Sequence, residues 1–399
     1  KFLINLGSVN DMNCSSICNL ASSTVTPGTL MGLNTRMMVQ EIEESDYIIS
    51  WGDGTEDNAS GTGKQTCAHT YNTSDFHQVE IKNCSNVTYA NTISKLSLVA
   101  YWSIGDSNVN GLEFSGFSML KYVGLILKND TERNYFSSCF SGTGLTSIPQ
   151  GLFDNCVKAF IFNNVFYSVP ITSIPVGLFD HCTEAREFKG AFEKTLLSSI
   201  PEDIFKYNVI ASNFNLCFAS TKITSVPERL FYYCSNAVVF GGFNNWGKAQ
   251  GCFSRSLLES VPANLFINNK KASNFDGCFQ YSKIKDLPAG LIDNCPVTAM
   301  NYFCNECKMN SVVLPSISSS LGRYSFDSLG FDLKYIISNS AIPQTIETTT
   351  FSNSNIYRYS IYVPDESVDA YKTATNWTVL AGRIKPMSQF ATDFPEEEI

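Results

Sequence analysis

ITSVPERLF (residues 223–231) is one of six closely related phrases in this chain, and their spacing decides the fold. The other five are LTSIPQGLF from 145, ITSIPVGLF from 171, LSSIPEDIF from 197, LESVPANLF from 258 and IKDLPAGLI from 284. Their prolines, at 149, 175, 201, 227, 262 and 288, are separated by 26, 26, 26, 35 and 26 residues. A fixed period of this size predicts a solenoid, in which each coil buries its apolar face against its neighbours. The 35-residue interval indicates one coil that carries an insertion.

Phenylalanines keep the same phase as the prolines. One precedes each marker proline by nine residues, and in most coils another lies four residues further back. The pattern predicts an extended segment that ends at the proline, a short helix after it, and a second extended segment that carries the phenylalanines. Equivalent rings should then stack from coil to coil at about the 4.8 Å spacing of neighbouring strands. The two series are Phe140, Phe166, Phe192, Phe218, Phe253 and Phe279, and Phe136, Phe162, Phe188, Phe214 and Phe275.

Cysteines also follow the repeat. The sequence has 14 of them, and two series recur in the coils, one seven residues after the proline, where Cys alternates with Asn, and one just before a phenylalanine. A buried thiol behaves as a small hydrophobic group, and Asn can bond the backbone of an adjacent coil, so we interpret both series as packing residues. Disulfides are the alternative in an exported protein. The CxxC of Cys304 and Cys307 lacks a second CxxC or a nearby histidine, so it does not match a zinc site.

The IPxGLFDNC phrase with its phenylalanine-rich return resembles the BspA-like branch of leucine-rich repeats, found in surface proteins of anaerobic gut bacteria. The segment IYVPDESVDAYKTATNWTVLAGRIKPM (361–387) is similar to the C-terminal cap of that family. There we expect IYVP to form a last strand, DESVDAYKTA to form an amphipathic helix, and Trp377 and Ile384 to cover the final coil. Without such a cap a solenoid would expose apolar surface to water. The resemblance implies a right-handed leucine-rich-repeat solenoid.

The first ninety residues lack the repeated phrase and have a different sequence pattern. YIISWGDGTEDN (47–58) and CAHTYNTSDFHQVEI (67–81) are strand-like runs around a Gly-Asp-Gly turn. Glycine supplies positive φ there, and Asp53 can close the turn on backbone amides; a calcium site at Asp53 is the alternative. WGDGT, HTY and VEI together resemble a PKD-like (immunoglobulin-like) β-sandwich. The predicted fold is α+β, with this sandwich over 1–92 and the solenoid over 93–399, which includes leading coils at 93–135 and a cap at about 356–390.

Few residues suggest catalysis. We interpret His69 as a residue of the sandwich motif, His77 as a solvent-facing strand residue and His181 as a surface residue of a coil. Neither a GxSxG nucleophile elbow nor an HExxH metal motif occurs, and SGTGKQT (60–66) lacks the Lys-Ser/Thr pair of a phosphate-binding loop. We therefore predict a protein that is not an enzyme and has no cofactor or metal.

Composition excludes further partner classes. Lys and Arg number 28 against 37 Asp and Glu, which gives a net charge of −9, and the only adjacent basic pair of note is Lys270–Lys271. Nucleic acid is therefore not an expected partner. No apolar run approaches the roughly 20 residues of a transmembrane helix. We expect a monomer that is located outside the cell or on its outer surface and is lipid-anchored through a residue outside this sequence. We expect the acidic segment FPEEEI (394–399) to be solvated.

The insertion GGFNNWGKAQG (241–251) is the most distinctive departure from the repeat. It puts Phe243 and Trp246 among glycines and asparagines, which favours an exposed loop, and exposed aromatic residues are strong binding anchors. In the alternative interpretation Trp246 folds back over the widened coil. Tyr207, Tyr232 and Tyr233 follow the marker prolines and add aromatic surface. These five residues are the candidate ligand-binding residues.

The function predicted from these patterns is recognition or adhesion at a cell surface. The ligand would be a host or neighbouring-cell surface protein or glycan, bound through the solenoid surface. One alternative is a glycan-binding accessory protein of a polysaccharide uptake system. The other is an enzyme, which would need a cleft that brings carboxylates together with His181.

Overall fold

The computed structural model describes residues 2–5, 33–42, 46–51, 53–60, 63–71, 76–82, 87–90, 98–102, 114–118, 120–124, 135–244, 247–352 and 359–397. The chain divides into two compact units, Lys1–Thr183 and Glu184–Ile399. In the described part no helix is both long and apolar enough to span a bilayer.

The first unit begins with β-strands in two sheets. A six-stranded sheet has the order β4-β3-β6-β1-β8-β9, and a three-stranded sheet has the order β5-β2-β7. All of their pairings are antiparallel except β8 with β9, where Ala100 lies opposite Tyr122 in a parallel pair. The strands are β1 (Phe2–Asn5), β2 (Leu33–Ile42), β3 (Asp46–Ser50), β4 (Glu56–Ser60), β5 (Gly63–Tyr71), β6 (Phe76–Lys82), β7 (Val87–Ala90), β8 (Leu98–Trp102) and β9 (Tyr122–Gly124). A β-rich N-terminal part is therefore present; its PKD-like assignment and its boundary at residue 92 stay predictions.

The Gly-Asp-Gly turn has the backbone role that the sequence predicts. Gly54 has φ +91°. The backbone N–H and the hydroxyl of Thr55 both donate to Asp53 Oδ1, at 3.0 and 2.6 Å. Trp51 is fully buried beside the turn, and its Nε1–H donates to Asp57 Oδ2 at 2.8 Å. Asp53 and Asp57 thus hold the turn and the tryptophan in place.

Stacked coils follow in both units. In the coils of regular length, alternate backbone N–H groups donate to carbonyl oxygens 25 residues later in the chain, which lie in the next coil, at 2.8–3.0 Å. The same stacking gives parallel bridges from Tyr135 to Ile161 in the first unit and along Glu187, Asn213, Val239, Asn274 and Ala299 in the second. Each unit therefore contains the solenoid architecture that the period predicts. The donor–acceptor pairs are Phe136–Ile161, Ser138–Asn163, Phe140–Val165 and Gly142–Tyr167, and Phe188–Asn213, Gly190–Asn215, Phe192–Cys217 and Lys194–Ala219.

The phenylalanine columns are confirmed. The Phe140 and Phe166 rings are buried and stacked, with centroids 5.5 Å apart and an interplanar angle of 10°. This spacing slightly exceeds the strand spacing because offset-stacked rings are displaced sideways. In the second unit Phe240 stacks on Phe214 at 5.7 Å and on Phe275 at 5.5 Å, so the second column passes through the longest coil without a gap. The insertion consequently lies between Phe240 and Phe253.

The predicted helix after the proline is wrong. The segment is a tight turn, in which the N–H of Leu178 donates to the Pro175 carbonyl at 3.3 Å. Two residues after the proline, several coils have a left-handed residue: Gly151 (φ +73°), Gly177 (φ +77°) and Asp203 (φ +61°). A right-handed helix cannot continue through such a residue, so these segments remain turns.

The extended segments before the proline also hydrogen-bond from coil to coil, along a second line of backbone contacts. In the second unit they widen into a parallel sheet of five strands, in the order β12-β13-β14-β15-β16. Its strands are β12 (Asp286–Leu287), β13 (Ser311–Val313), β14 (Tyr335–Ile337), β15 (Ser360–Val363) and β16 (Ile384–Pro386). Earlier coils join at the same place through single bonds, such as Lys222 N–H to the Leu197 carbonyl at 2.9 Å. The extended character predicted for these segments is confirmed.

The repeat cysteines are packing residues. All ten of those described are free thiols and buried. The thiols of Cys182 and Cys234 each donate to the carbonyl of a phenylalanine 29 residues earlier, and at the same coil position Asn269 Nδ2 donates to the Phe231 and Cys234 carbonyls. Burial raises the pKa of both thiols well above its ordinary value, which keeps them protonated and unreactive. The Cys/Asn alternation thus has the backbone-bonding role predicted for it.

The C-terminal cap contains helix α1 (Val368–Thr373), three short 3-10 turns (Asp365–Ser367, Thr378–Arg383 and Met387–Gln389) and helix α2 (Phe390–Asp393). Trp377 is fully buried; its ring lies 5.9 Å from that of Phe351, and its Nε1–H donates to the Gln344 carbonyl at 2.7 Å. Trp377 and the buried Ile384 therefore cover apolar residues, as predicted. IYVP, however, is not the last strand, because β16 follows it.

The acidic end is also placed differently from the prediction. Glu397 Oε1 lies 2.8 Å from Lys334 Nζ, and the Tyr335 hydroxyl donates to Glu397 Oε2 at 3.4 Å. Phe394 packs against Tyr335, with centroids 4.8 Å apart. The Phe394 ring and the Glu397–Lys334 ion pair thus hold this segment against strand β14 of the five-stranded sheet. The described part of FPEEEI is therefore not simply a solvated end.

Candidate functional site

The insertion forms a β-hairpin. Strands β10 (Gly241–Phe243) and β11 (Ala249–Gly251) pair antiparallel, with Phe243 opposite Ala249. The base of the hairpin presses on the next coil: a Cβ on Gly241 would lie 2.1 Å from the Asp276 carbonyl oxygen, and one on Gly251 would lie 2.4 Å from Cys278 Cα. Only glycine permits that approach. Trp246 lies outside the described residues, so neither interpretation of it is tested.

Phe243 lies in an aromatic cluster on the protein surface. Its side chain is 39% exposed, and its ring meets that of Tyr302 edge to face, with centroids 6.3 Å apart. Tyr302 stacks on Tyr324 at 5.0 Å, and the Arg323 guanidinium lies 5.8 Å from the centre of the Phe243 ring. We call these four residues, Phe243, Tyr302, Arg323 and Tyr324, the hairpin patch. The combination of aromatic and arginine side chains is typical of binding hot spots.

Polar groups occupy the coil positions just before the two tyrosines. The N–H and Nδ2 of Asn301 donate to Asp276 Oδ1 at 2.6 and 2.9 Å, and Asn301 Oδ1 accepts the N–H of Arg323 at 3.1 Å. Asp276 is only 3% exposed, and its Oδ2 accepts no hydrogen bond from the described residues. Burial raises the pKa of Asp276, opposed by the hydrogen bonds from Asn301 and by the charge of Arg323.

Both tyrosines of the patch have a left-handed backbone, with φ +57° at Tyr302 and +56° at Tyr324. The same position is left-handed in other coils, both at glycine, as in Gly277 (φ +61°), and at larger residues, as in Asn164 (φ +55°) and Leu216 (φ +61°). A left-handed conformation costs a non-glycine residue about 1–2 kcal/mol. The backbone geometry is therefore a property of the coil position, and what distinguishes these two coils is the aromatic side chain at it.

Of the three tyrosines predicted as binding residues, Tyr232 and Tyr233 form a separate cluster with Arg229, while Tyr207 lies over Lys206, whose Nζ is 5.2 Å from its ring centre. Tyr207 and Tyr232 are 46% and 44% exposed, and Tyr232 meets Tyr233 edge to face at 5.2 Å. The Arg229 guanidinium lies 5.9 and 5.1 Å from the rings of Tyr232 and Tyr233, and Arg229 Nε is 3.4 Å from Asp203 Oδ1. We call Arg229, Tyr232 and Tyr233 the turn patch. No ring contact in the described part joins it to Phe243, so the structure does not unite the predicted residues in one cluster.

The remaining candidates are structural or solvated. His181 is exposed, and its Nδ1 lies 3.4 Å from Asp154 Oδ1, which is also largely exposed. The side chains of His69 and His77 lie outside the described part of the structure. Cys304 and Cys307 are fully buried, and the Cys307 thiol donates to the Phe279 carbonyl at 3.1 Å. Across the described residues, no group of three or more His, Cys, Asp or Glu side chains is arranged to hold a metal ion.

Comparison with known proteins identifies no relative in sequence. No protein-family model matches the chain, and no curated protein matches it. Among solved structures, the glycosylated Toll–Spatzle complex of Drosophila is 15% identical with a TM-score of 0.30, over 67% of this chain and 30% of that chain. The APL1 leucine-rich repeat domain is 10% identical with a TM-score of 0.32, over 66% and 76%. A second Toll–Spatzle structure is 11% identical with a TM-score of 0.29, over 73% and 48%.

At these TM-scores the superpositions are too loose to assign a family or a function. The chain spans less than a third of the first of these structures. The solenoid described above consequently rests on the hydrogen bonds and ring stacks of this chain itself.

Proposed function

We propose that this chain is a non-enzymatic recognition or adhesion protein of the cell surface, which binds a surface protein or glycan through the hairpin patch. The observation that supports this is the hairpin patch itself. An insertion interrupts an otherwise regular coil, and it presents an exposed phenylalanine beside two tyrosines and an arginine. Such residues dominate the binding energy of protein interfaces.

The resemblance to BspA-like repeats and to a PKD-like domain supports the wider proposal. It comprises a sandwich at 1–92, a right-handed leucine-rich-repeat solenoid at 93–399, and an extracellular or outer-surface location with a lipid anchor. A monomer that displays its coils to host or neighbouring cells fits this arrangement. The alternative, an accessory protein of a polysaccharide uptake system, uses the same patch with a glycan as ligand.

The test is a binding assay with the full chain. Biotinylated protein is presented to a panel of extracellular-matrix and cell-surface glycoproteins by biolayer interferometry. Phe243→Ala and Arg323→Ala should each weaken the interaction about tenfold or more, because truncating a hot-spot side chain costs about 2 kcal/mol. Phe331→Ala is the matched control, since Phe331 is a phenylalanine that is 76% exposed and lies outside the patch.

Two results would contradict the proposal. If Phe243→Ala and Phe331→Ala bind alike, the hairpin patch is not the binding surface. If Arg229→Ala alone weakens binding, the turn patch is the binding surface and the hairpin serves another purpose.

A further inference from the structure

We propose that the hairpin patch, together with Asp276 and Asn301, forms a subsite for the sugar rings of a neutral glycan. This inference rests on the proposed function and names the ligand class of the same surface. The site combines two features in adjacent coil positions: half-exposed aromatic rings at Tyr302 and Tyr324, and planar polar groups immediately before them.

The aromatic rings provide the apolar half of the recognition. A pyranose ring has a face of C–H groups, which packs on an aromatic ring and leaves the hydroxyls at the rim. Tyr302 and Tyr324 lie in successive coils with an interplanar angle of 25°, and Phe243 stands nearly perpendicular to Tyr302, at 82°. Each of the stacked tyrosines covers one face of the other, so a sugar unit would pack on a ring face that the stack leaves uncovered. Tyrosine adds a hydroxyl at the edge of such a contact.

The polar groups provide hydrogen bonds to the hydroxyls. Asp276 is buried, yet its Oδ2 accepts no hydrogen bond from the described residues. An acceptor without a protein donor suits a sugar hydroxyl, and charge-assisted hydrogen bonds are the stronger ones. Arg323 is exposed and offers guanidinium donors next to Asn301, whose Oδ1 accepts the Arg323 backbone N–H.

Charge distinguishes between kinds of glycan. One carboxylate and one guanidinium leave the subsite without a net charge. An anionic sugar would gain from Arg323 but would meet the buried carboxylate of Asp276, and the interaction of like charges is strongest where water is excluded. Neutral sugars avoid that repulsion.

Glycine substitution tests the two tyrosine rings directly. Tyr302 and Tyr324 have the left-handed backbone that this coil position also has at Leu216 and Gly277. Replacing either tyrosine by glycine therefore removes the ring while leaving the coil in a conformation that glycine adopts readily.

The experiment is affinity gel electrophoresis of the full chain in gels that contain mannan, xylan, galactan or soluble glucan, with polygalacturonate as the anionic counterpart. The variants are Tyr324→Gly and Asp276→Asn; the second keeps the Oδ1 bonds to Asn301 and replaces the Oδ2 acceptor by a donor. Tyr281→Gly is the matched control. Tyr281 is also left-handed (φ +60°), 40% exposed and covered by an arginine, with Arg255 Cζ 4.4 Å from its ring centre.

We expect at least one neutral polysaccharide to retard the wild type. Tyr324→Gly and Asp276→Asn should each raise the dissociation constant about tenfold, while Tyr281→Gly stays within about twofold because it lies outside the subsite. Urea midpoints of all variants confirm that they are folded. The inference is overturned if no neutral polysaccharide retards the protein, if only polygalacturonate does, or if Tyr324→Gly and Tyr281→Gly weaken retardation equally.

The inference and the proposed function can fail separately. If no polysaccharide binds but surface glycoproteins bind in a manner that Phe243→Ala abolishes, the ligand class is wrong and the recognition surface is right. If neither class of ligand depends on the patch, both fail.

Discussion

Truncating Phe218 tests the stacked core of the second unit. Its ring is fully buried and lies between Phe192, at 5.6 Å, and Phe253, at 6.0 Å, both nearly parallel to it. Replacing a buried phenylalanine by alanine costs about 3–5 kcal/mol. Each stacked pair is worth about 0.5–1.5 kcal/mol beyond its buried area, and this residue loses two. We therefore expect Phe218→Ala to destabilise the protein by about 4–5 kcal/mol.

The assay is urea unfolding followed by far-UV circular dichroism, with hydrogen exchange to locate the destabilised coils. Phe331→Ala, at a residue 76% exposed, is the control and should shift stability by less than about 1 kcal/mol. Since coils in a solenoid depend mainly on their neighbours, exchange should increase most in the coils next to residue 218. A Phe218→Ala variant as stable as Phe331→Ala would refute the stacked core.

Four further predictions follow from particular contacts. The pKa of Asp276 is raised by burial, so this carboxyl contributes stability that is lost as pH rises from about 4, the ordinary Asp value, through the raised one. Asp276→Asn should lack that loss, and urea midpoints at pH 4 and 7 would show it; parallel pH profiles would contradict it. Gly241→Ala should destabilise by about 1–3 kcal/mol, because its Cβ would lie 2.1 Å from a carbonyl oxygen, and an unchanged unfolding midpoint would refute the clash. Trp377→Ala should cost about 3–5 kcal/mol in the same assay, and a neutral result would mean that the cap is dispensable. Mass mapping of alkylated thiols should find the ten buried repeat cysteines unreactive in the native protein and free after denaturation without reductant; disulfide-linked peptides among them would contradict the packing role.

The repeat spacing is sufficient to predict the coil, the phenylalanine columns and the role of the Cys/Asn position. Those features recur at fixed intervals, and identical surroundings in each coil impose identical packing. The post-proline turn could also have been read from Gly151 and Gly177, because glycine two residues after proline at a regular interval indicates a left-handed backbone rather than a helix. Apolar spacing alone favours the helix and gives the wrong result.

The hairpin patch is only partly predictable. Phe243 is indicated by the insertion, but Tyr302, Arg323 and Tyr324 lie beyond the last marker proline, where the coil length changes and the phrase no longer recurs. These residues become visible when the coils are aligned by their backbone hydrogen bonds. The Tyr302 N–H donates to the Arg323 carbonyl just as the Gly277 N–H donates to the Asn301 carbonyl in the preceding coil. Which residues of successive coils lie side by side depends on the register between the coils. Once the repeat length changes, the sequence alone no longer defines that register.

Hydrogen exchange of the full chain with and without a polysaccharide that retards it tests the central claim most directly. Binding at the hairpin patch should slow exchange in peptides that cover 241–251, 274–278 and 300–326 and leave distant described segments unchanged, because these backbone groups lie beside the patch. Slowed exchange confined to the turns around Tyr207 and Tyr232, or to residues 1–92, would contradict recognition through the hairpin patch.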